Sequence, residues 1–179
     1  MALIDTDYFR SLPLGQKAVE QLPIENLAEF IQTASDYIED YLDQKIQLHT
    51  TIERKLGNRE YVMILDDYPI QSLVNVGFDG YTGDVGTHAT SDFLIHSASG
   101  MIEWIDKMYV FRGDRVYTIE YTAGYDEVPS PIKMATALQT VQLLRPMYGG
   151  TQSDSPVGTP FADEQIVSLL ERYRRKRLS

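Results

Sequence analysis

The sequence has 179 residues, no cysteine and a formal net charge of −10, with 26 acidic residues against 16 basic ones. This length suits one domain, or one domain that carries a sizeable insertion. The lack of cysteine excludes a disulfide framework, thiolate zinc sites and a cysteine nucleophile. The acidity argues against a protein that grips the nucleic-acid backbone.

Hydropathy gives no sign of a membrane segment. No apolar run approaches the roughly 18 residues that a transmembrane helix needs. Two acidic residues, Asp5 and Asp7, precede the first basic residue, Arg10, which is the wrong charge order for a secretory signal. We therefore expect a protein that works without export and without a membrane.

The first part of the chain changes from an irregular pattern to a helical one. Residues 1–22 show no sustained period and are interpreted as an N-terminal arm. From residue 23 to residue 46 apolar residues recur at three- and four-residue spacing, which predicts an amphipathic helix. Its outer face is expected to be acidic and to include Glu25, Glu29, Asp36, Glu39, Asp40 and Asp43.

After residue 46 the apolar residues recur at about every second position. This alternation is typical of strands that are buried on one side. Turn residues such as Gly57-Asn58 and Asp79-Gly80 separate the apolar runs. We predict an antiparallel β-rich insertion over residues 47–128, built as a small sandwich or barrel. Its strands are expected near residues 48–52, 61–65, 74–78, 93–96, 101–105, 108–111 and 116–121.

Helical patterning returns in the last third of the chain. Residues 129–147 contain a helix that is apolar nearly all round, so most of its sides must be covered. The composition of residues 148–160 predicts a flexible linker, and residues 161–179 are expected to form a C-terminal docking helix. The helices near 23–46, 130–145 and 161–178 predict a small helical bundle, which together with the insertion makes an α+β fold.

The residue types that carry chemistry do not form a recognisable site. His49, His88 and His96 are scattered and lack the spacing of a zinc protease. Carboxylates near strand ends are explained by turn chemistry, and Arg112-Gly113-Asp114 is best interpreted as a hairpin turn. We expect no catalytic, cofactor-binding or metal-binding residue and no enzymatic activity. A metal-dependent hydrolase or a calcium-dependent binding module using the turn carboxylates is the remote alternative.

The C-terminal end is basic, although the rest of the chain is acidic. Residues 171–179 hold five of the 16 bases and one of the 26 acids. Cations at a helix C-terminus complement the helix dipole, but four in a row exceed what capping requires. A helix with a basic end behind a linker is suited to docking. The candidate docking residues are Ile166, Leu169, Leu170, Tyr173, Arg174, Arg175, Lys176 and Arg177.

Three segments resemble the head-tail connector (adaptor, or head completion) proteins of tailed phages. The first runs from Val116 to Tyr125 and continues through Val128-Pro129 to Ile132-Lys133-Met134-Ala135, and it resembles their strand-to-helix segment. Tyr37 to Leu42 resembles the end of their opening helix. Tyr68 to Val76 is similar to their recurrent Y-P-I-x-S-V strand. The resemblance covers about residues 24–146.

This resemblance implies a structural virion protein that forms a homo-oligomeric ring of twelve copies below the portal. The C-terminal docking residues would then bind the portal protein, and a stopper or tail protein would follow downstream. Genomic DNA would pass without specific binding, through a lumen or past a rim lined by Glu29, Asp36, Glu39, Asp40 and Asp43. The protein would be assembled in the cytoplasm of the bacterial host and would lie at the head-tail interface. A stopper or tail-completion protein of the same neck is the alternative.

Overall fold

The chain is described from a computed structural model, which covers residues 2–21, 26–81, 83–144 and 161–174. It divides into two compact units, one of residues 1–43 and 127–179 and one of residues 44–126. The first is helical and the second is β-rich, which confirms the predicted α+β class. No described helix combines the length and the hydropathy that a bilayer-spanning segment requires.

Five α-helices make up the described part of the helical unit. In α3 the apolar residues recur on one face, which buries Ile31, Ile38 and Leu42. The helices are α1 (Thr6–Ser11), α2 (Pro13–Gln21), α3 (Leu27–Leu42), α4 (Ser130–Leu144) and α5 (Phe161–Leu170), and a short 3-10 turn (Glu171–Tyr173) follows α5.

Helix α4 is covered on most sides, as its all-round apolar sequence predicts. Ile132, Ala135, Ala137 and Leu144 have no exposed surface. Polar residues of the helix are satisfied locally, because the hydroxyl of Thr136 donates to the carbonyl of Ile132 at 2.9 Å. The buried hydroxyl of Thr136 is therefore paired with the preceding turn of its own helix.

Residues 1–22 are not the arm that the sequence suggests. Most of them form α1 and α2, and Phe9 is fully buried in the core of the helical unit. The backbone N–H of Leu3 donates to Ser35 Oγ on α3 at 2.9 Å, so the start of the chain is tied to that helix. The prediction failed because helices of 6 and 9 residues are too short to show a clear period.

The β unit contains a four-stranded and a three-stranded antiparallel sheet. The strand orders are β1-β7-β3-β4 and β2-β6-β5. The strands are β1 (His49–Leu56), β2 (Val62–Ile64), β3 (Ile70–Gly80), β4 (Val85–His88), β5 (Phe93–His96), β6 (Met101–Trp104) and β7 (Arg115–Ala123). Alternate residues of β7 face the core, and Tyr117, Ile119 and Tyr121 are almost fully buried there.

A partly buried hydrogen-bond network lies at one end of the larger sheet. The hydroxyl of Tyr121 donates to the Glu53 carboxylate and accepts a hydrogen bond from the backbone N–H of Asp67 at 3.0 Å. Burial, together with the hydrogen bond to Glu53, raises the pKa of Tyr121. The phenol therefore stays protonated and holds the two segments together through a satisfied polar contact.

The segment from Val116 to Tyr125, which resembles that of head-tail connector proteins, has a glycine, Gly124, directly after β7, and the structure shows why. Its φ of 97° lies in the region that side chains rarely adopt. A Cβ at this position would also lie 2.4 Å from the carbonyl oxygen of Gln47. Any other residue would strain the backbone where the chain leaves the sheet.

Two strand predictions differ from the structure. Strand β4 (Val85–His88) was not expected, since it is only four residues long, contains Gly86 and follows a turn. Residues 108–111 were predicted as a strand but belong to a loop in which residues 105–110 are all exposed. A run of apolar residues is a strand only when a partner strand supplies the backbone hydrogen bonds.

Candidate interaction surfaces

The predicted acidic residues of α3 lie together on the outer side of that helix. Ile31, Ile38 and Leu42 are buried on its inner side. At 100° per residue, Glu29, Asp36, Glu39 and Asp40 fall within an arc of about 100° and over a length of about 17 Å. Glu39 is half-buried, and the others are exposed. With Asp43 they form the acidic stripe, a name used below for Glu29, Asp36, Glu39, Asp40 and Asp43.

Asp43 follows α3 as its C-cap. It has a left-handed backbone with a φ of 55°, and its N–H donates to the last turn of the helix. Aspartate tolerates this conformation better than most residues because its side chain is short and polar. The acidic stripe therefore ends in a residue that also terminates the helix.

The predicted docking helix is shorter than expected, and part of it belongs to the core. Ile166 and Leu170 are 4% and 0% exposed. They pack within the helical unit, in which α5 lies against α4, so they are not available for docking in this conformation. Leu169 and Tyr173 are half-buried. The sequence pattern could not distinguish an apolar stripe that meets a partner from one that meets α4.

The basic residues that follow α5 remain exposed where they are described. Arg172 and Arg174 are both exposed, and the Arg174 guanidinium lies 5.3 Å from the ring centre of Tyr41. Arg175, Lys176 and Arg177 lie outside the described residues. We call Arg172, Arg174, Arg175, Lys176 and Arg177 the basic end.

A groove runs along the contact between α4 and α5. The groove is open to solvent and has a volume of about 480 Å³, and Met134, Leu138 and Leu169 supply its apolar lining. Its polar rim comes from α5, including Glu164 and Gln165. An apolar groove with a polar rim is the usual form of a protein-binding surface.

The histidines and strand-end carboxylates mostly serve local contacts. His49 Nε2 lies 3.0 Å from Asp67 Oδ2, and His96 Nε2 lies 2.7 Å from Glu103 Oε2. The hydrogen bonds from His96 and Lys107 lower the pKa of Glu103. Asp66 pairs with Lys55, Asp84 with Arg115 and Asp114 with Arg112. In the part of the chain that the structure describes, no group of three or more acidic residues or histidines could hold a metal ion.

The loop of residues 105–110 was missed as a possible functional surface because it was predicted to end in a strand. Met108 is 88% exposed and Ile105 is 62% exposed. A cleft next to this loop contains His88 and Trp104. The signal in the sequence was a run of apolar residues that also contained Asp106 and Lys107, a charge pattern that a buried strand would not tolerate.

A family model and two solved structures show what this chain is similar to. The family model described as head completion protein matches residues 3–175. The chain is similar to a chain from the neck of an empty gene transfer agent particle computed with C6 symmetry, with 18% identity, a TM-score of 0.63 and coverage of 96% of this chain and 93% of that chain. It is also similar to a chain from the neck of the native particle computed with C12 symmetry, with 19% identity, a TM-score of 0.61 and coverage of 100% and 96%. No curated protein matches the sequence.

Proposed function

This chain belongs to the head completion protein family, and from that premise we propose that it acts as a head-tail connector of the adaptor type. As a family member it is a structural protein of the neck between head and tail. The adaptor proposal adds that its subunits form a ring below the portal, join the capsid to the tail and let DNA pass. It also takes the chain to have no catalytic activity of its own.

The ring proposal is supported by the symmetry of the particles that contain similar chains. The neck of the native gene transfer agent particle was computed with C12 symmetry. In a ring of twelve copies, neighbouring copies would cover apolar surface that is exposed on a single copy. The groove lined by Met134, Leu138 and Leu169 is such a surface. We therefore propose a dodecamer in the virion, assembled in the cytoplasm of the bacterial host.

The acidic stripe is the main observation that supports the proposal that DNA passes through the ring. Its carboxylates lie on the outer side of α3, and four of the five residues are exposed. Repulsion of the phosphate backbone acts over a Debye length of about 8–10 Å at physiological salt, which is a distance that matters inside a channel. Twelve copies of such a stripe at the lumen or its rim would let the genome slide without adhering.

The basic end is the proposed contact with the portal. The rest of the chain is strongly acidic, so this segment alone offers concentrated positive charge. We propose that it and the half-buried Leu169 and Tyr173 bind the portal, while Ile166 and Leu170 hold α5 in place. On the opposite side of the ring, a stopper or tail protein would bind.

Direct binding to the portal separates an adaptor from a stopper of the same neck. Purified chain mixed with the portal ring of its own phage is expected to form a complex with twelve copies of the chain, which native mass spectrometry would count. The chain should not bind the purified stopper in the absence of the portal. A chain that binds the stopper but not the portal would contradict the adaptor proposal and favour the stopper alternative.

A further inference from the structure

The four-stranded sheet has two free edges. Strands β1 and β4 are its outermost strands, and each pairs with one neighbouring strand in the described part of the chain. Strand β1 keeps one register over all eight residues and contains no bulge, proline or glycine. Proteins usually interrupt or cover an edge of this length, because its unpaired backbone groups can pair with another chain. The β1 edge is therefore suited to the addition of a partner strand.

On β1 the free backbone groups belong to every second residue. The N–H of Gly57, directly after the strand, donates to the carbonyl of Arg115 at 2.9 Å, and such bonds recur at every second residue of an antiparallel pair. The even-numbered residues of the range 50–56 therefore turn their N–H and C=O groups away from β7. No backbone hydrogen bond joins these groups to another segment that the structure describes. Ile52 and Leu56 belong to this set and are 62% and 55% exposed, so the edge is apolar as well as unpaired.

The opposite edge of the sheet, on β4, has the same character. The N–H of Gly80 donates to the carbonyl of Asp84 at 2.7 Å. The same alternation then turns the N–H and C=O groups of Val85 and Thr87 away from β3. Both side chains are exposed, and Val85 is 72% exposed. Strand β4 therefore offers the unpaired donors and acceptors of these residues to a partner strand.

The two edges match in direction and in face. All pairings in this sheet are antiparallel, so β1 and β4, which are separated by two strands, run in opposite directions. Copies that lie side by side in one orientation therefore bring β4 of one copy next to β1 of the next as an antiparallel pair. The side chains of Ile52 and Val85 lie on the same face of the sheet, away from the buried Tyr117 and Ile119. Joined edges would form one continuous sheet in which apolar residues meet on the outer face.

Charges near the two edges are opposite in sign. Arg54 is exposed on β1, and Asp79, which lies opposite Val85, is exposed on the same face of the sheet. Neither residue forms an ion pair with a described residue of the chain. Contact between the two edges would bring these charges into one region, which favours binding. A contact between the β1 strands of two copies would instead bring their arginines together.

We propose that β4 of each copy pairs with β1 of the next copy, so that the four-stranded sheets join edge to edge around the ring. The contact uses two different surfaces of one chain, and such head-to-tail contacts close into rings. Val85 lies opposite Ile52 and Thr87 lies opposite Thr50, because this register matches apolar with apolar residues and threonine with threonine. The inference rests on the proposed ring and names a contact by which neighbouring copies bind.

Cross-linking is specific in this protein because the chain has no cysteine. The test variant carries Ile52→Cys and Val85→Cys, and particles that contain it are treated with a short bismaleimide before denaturing electrophoresis. Within one copy the two positions are three strand spacings apart, about 14 Å or more, which is beyond the reach of a short linker. Every copy offers both halves of the contact, so we expect covalent trimers and larger species up to the whole ring.

The matched controls of this experiment move or remove one cysteine. Chains with Ile52→Cys alone or Val85→Cys alone should stay monomeric, because each edge meets the other kind of edge. The third control combines Ile52→Cys with Leu94→Cys, which places the second cysteine at a half-exposed apolar residue of the three-stranded sheet. It should give no species larger than the monomer.

A proline at position 52 tests the backbone hydrogen bond of the contact. The N–H of this residue turns outward, so Ile52→Pro removes a donor to the partner strand and leaves the bonds between β1 and β7 in place. Ile52→Ala is the matched control, since it removes the side chain and keeps the donor. We expect about tenfold fewer particles with a complete neck from the proline variant than from the alanine variant. Circular dichroism of the purified chains checks that both variants fold.

Failure of the edge contact can be distinguished from failure of the ring. Particles that hold a full ring of the double-cysteine chain, counted by quantitative mass spectrometry, and give only monomer after cross-linking would overturn the edge contact and leave the ring in place. Covalent dimers from Ile52→Cys alone would identify a two-fold contact between β1 strands and would overturn it as well. Equal particle yields from the proline and alanine variants would do the same. A neck that contains one copy would contradict the ring and the edge contact together.

Discussion

Particles whose neck contains a charge-reversed acidic stripe are expected to release DNA about 10- to 1,000-fold more slowly than normal particles, the range over which electrostatic steering changes rates. The variant carries Glu29→Lys, Asp36→Lys, Glu39→Lys and Asp40→Lys. Asp43 is changed to asparagine because its left-handed backbone disfavours long side chains. Each lysine would attract the phosphates that the carboxylate repels, and a twelvefold ring would multiply the effect. Release is measured by the fluorescence of a DNA-binding dye after triggered ejection.

A matched variant separates the position of the charges from their number. Glu60, Asp66, Asp79 and Asp126 are exposed acids of the β unit, and changing all four to lysine alters the net charge by nearly the same amount. If α3 alone faces the channel, release from these control particles should stay within about twofold of normal, because charges farther than a Debye length from DNA are screened. Raising the salt should restore part of the rate in the acidic-stripe variant. Equal slowing in both variants would contradict a DNA-facing α3.

Neutralising the basic end is expected to weaken portal binding by about 100-fold, or about 2.7 kcal/mol. The variant changes Arg172, Arg174, Arg175, Lys176 and Arg177 to glutamine. These side chains supply the concentrated positive charge of the chain, and the described ones are exposed rather than held in ion pairs with acids. Surface plasmon resonance on immobilised portal measures the affinity. Wild-type binding should fall steeply with salt, and binding of the variant should not.

Two controls distinguish docking from folding. Neutralising five exposed bases of the β unit (Lys45, Arg54, Arg59, Lys107 and Arg112) should leave portal affinity nearly unchanged. Leu170→Ala removes a fully buried side chain and should lower the free energy of unfolding by about 2–5 kcal/mol. Removing all of residues 161–179 would combine both effects, so it cannot test docking alone. Full affinity of the glutamine variant would exclude the basic end as the portal contact.

The main helices were predictable because each carries its own signal. Helix α3 shows a period that matches its buried face, and α4 has apolar residues on nearly every side, so most of its surface must be covered. The α+β class followed from the change of period between these helices. The acidic stripe was also predictable, since the residues that face away from Ile31 and Ile38 are fixed by helix geometry.

The remaining features depend on tertiary contacts between distant segments, which cannot be predicted from the pattern of the sequence. The short helices α1 and α2 exist because Phe9 is buried in a core completed by distant segments. The burial of Ile166 and Leu170 depends on α4, so their apolar stripe suggested docking. The cleft at Trp104 was missed because its residues come from strand β4, strand β6 and a loop that was expected to be partly a strand.

Cryo-electron microscopy of the neck of a particle that contains this chain tests the central claim most directly. The account predicts twelve copies in one closed ring that contacts the portal, with the acidic stripe of every copy turned toward the DNA channel. A single copy, a location away from the neck, or a ring in which α3 faces outward from the channel would contradict it.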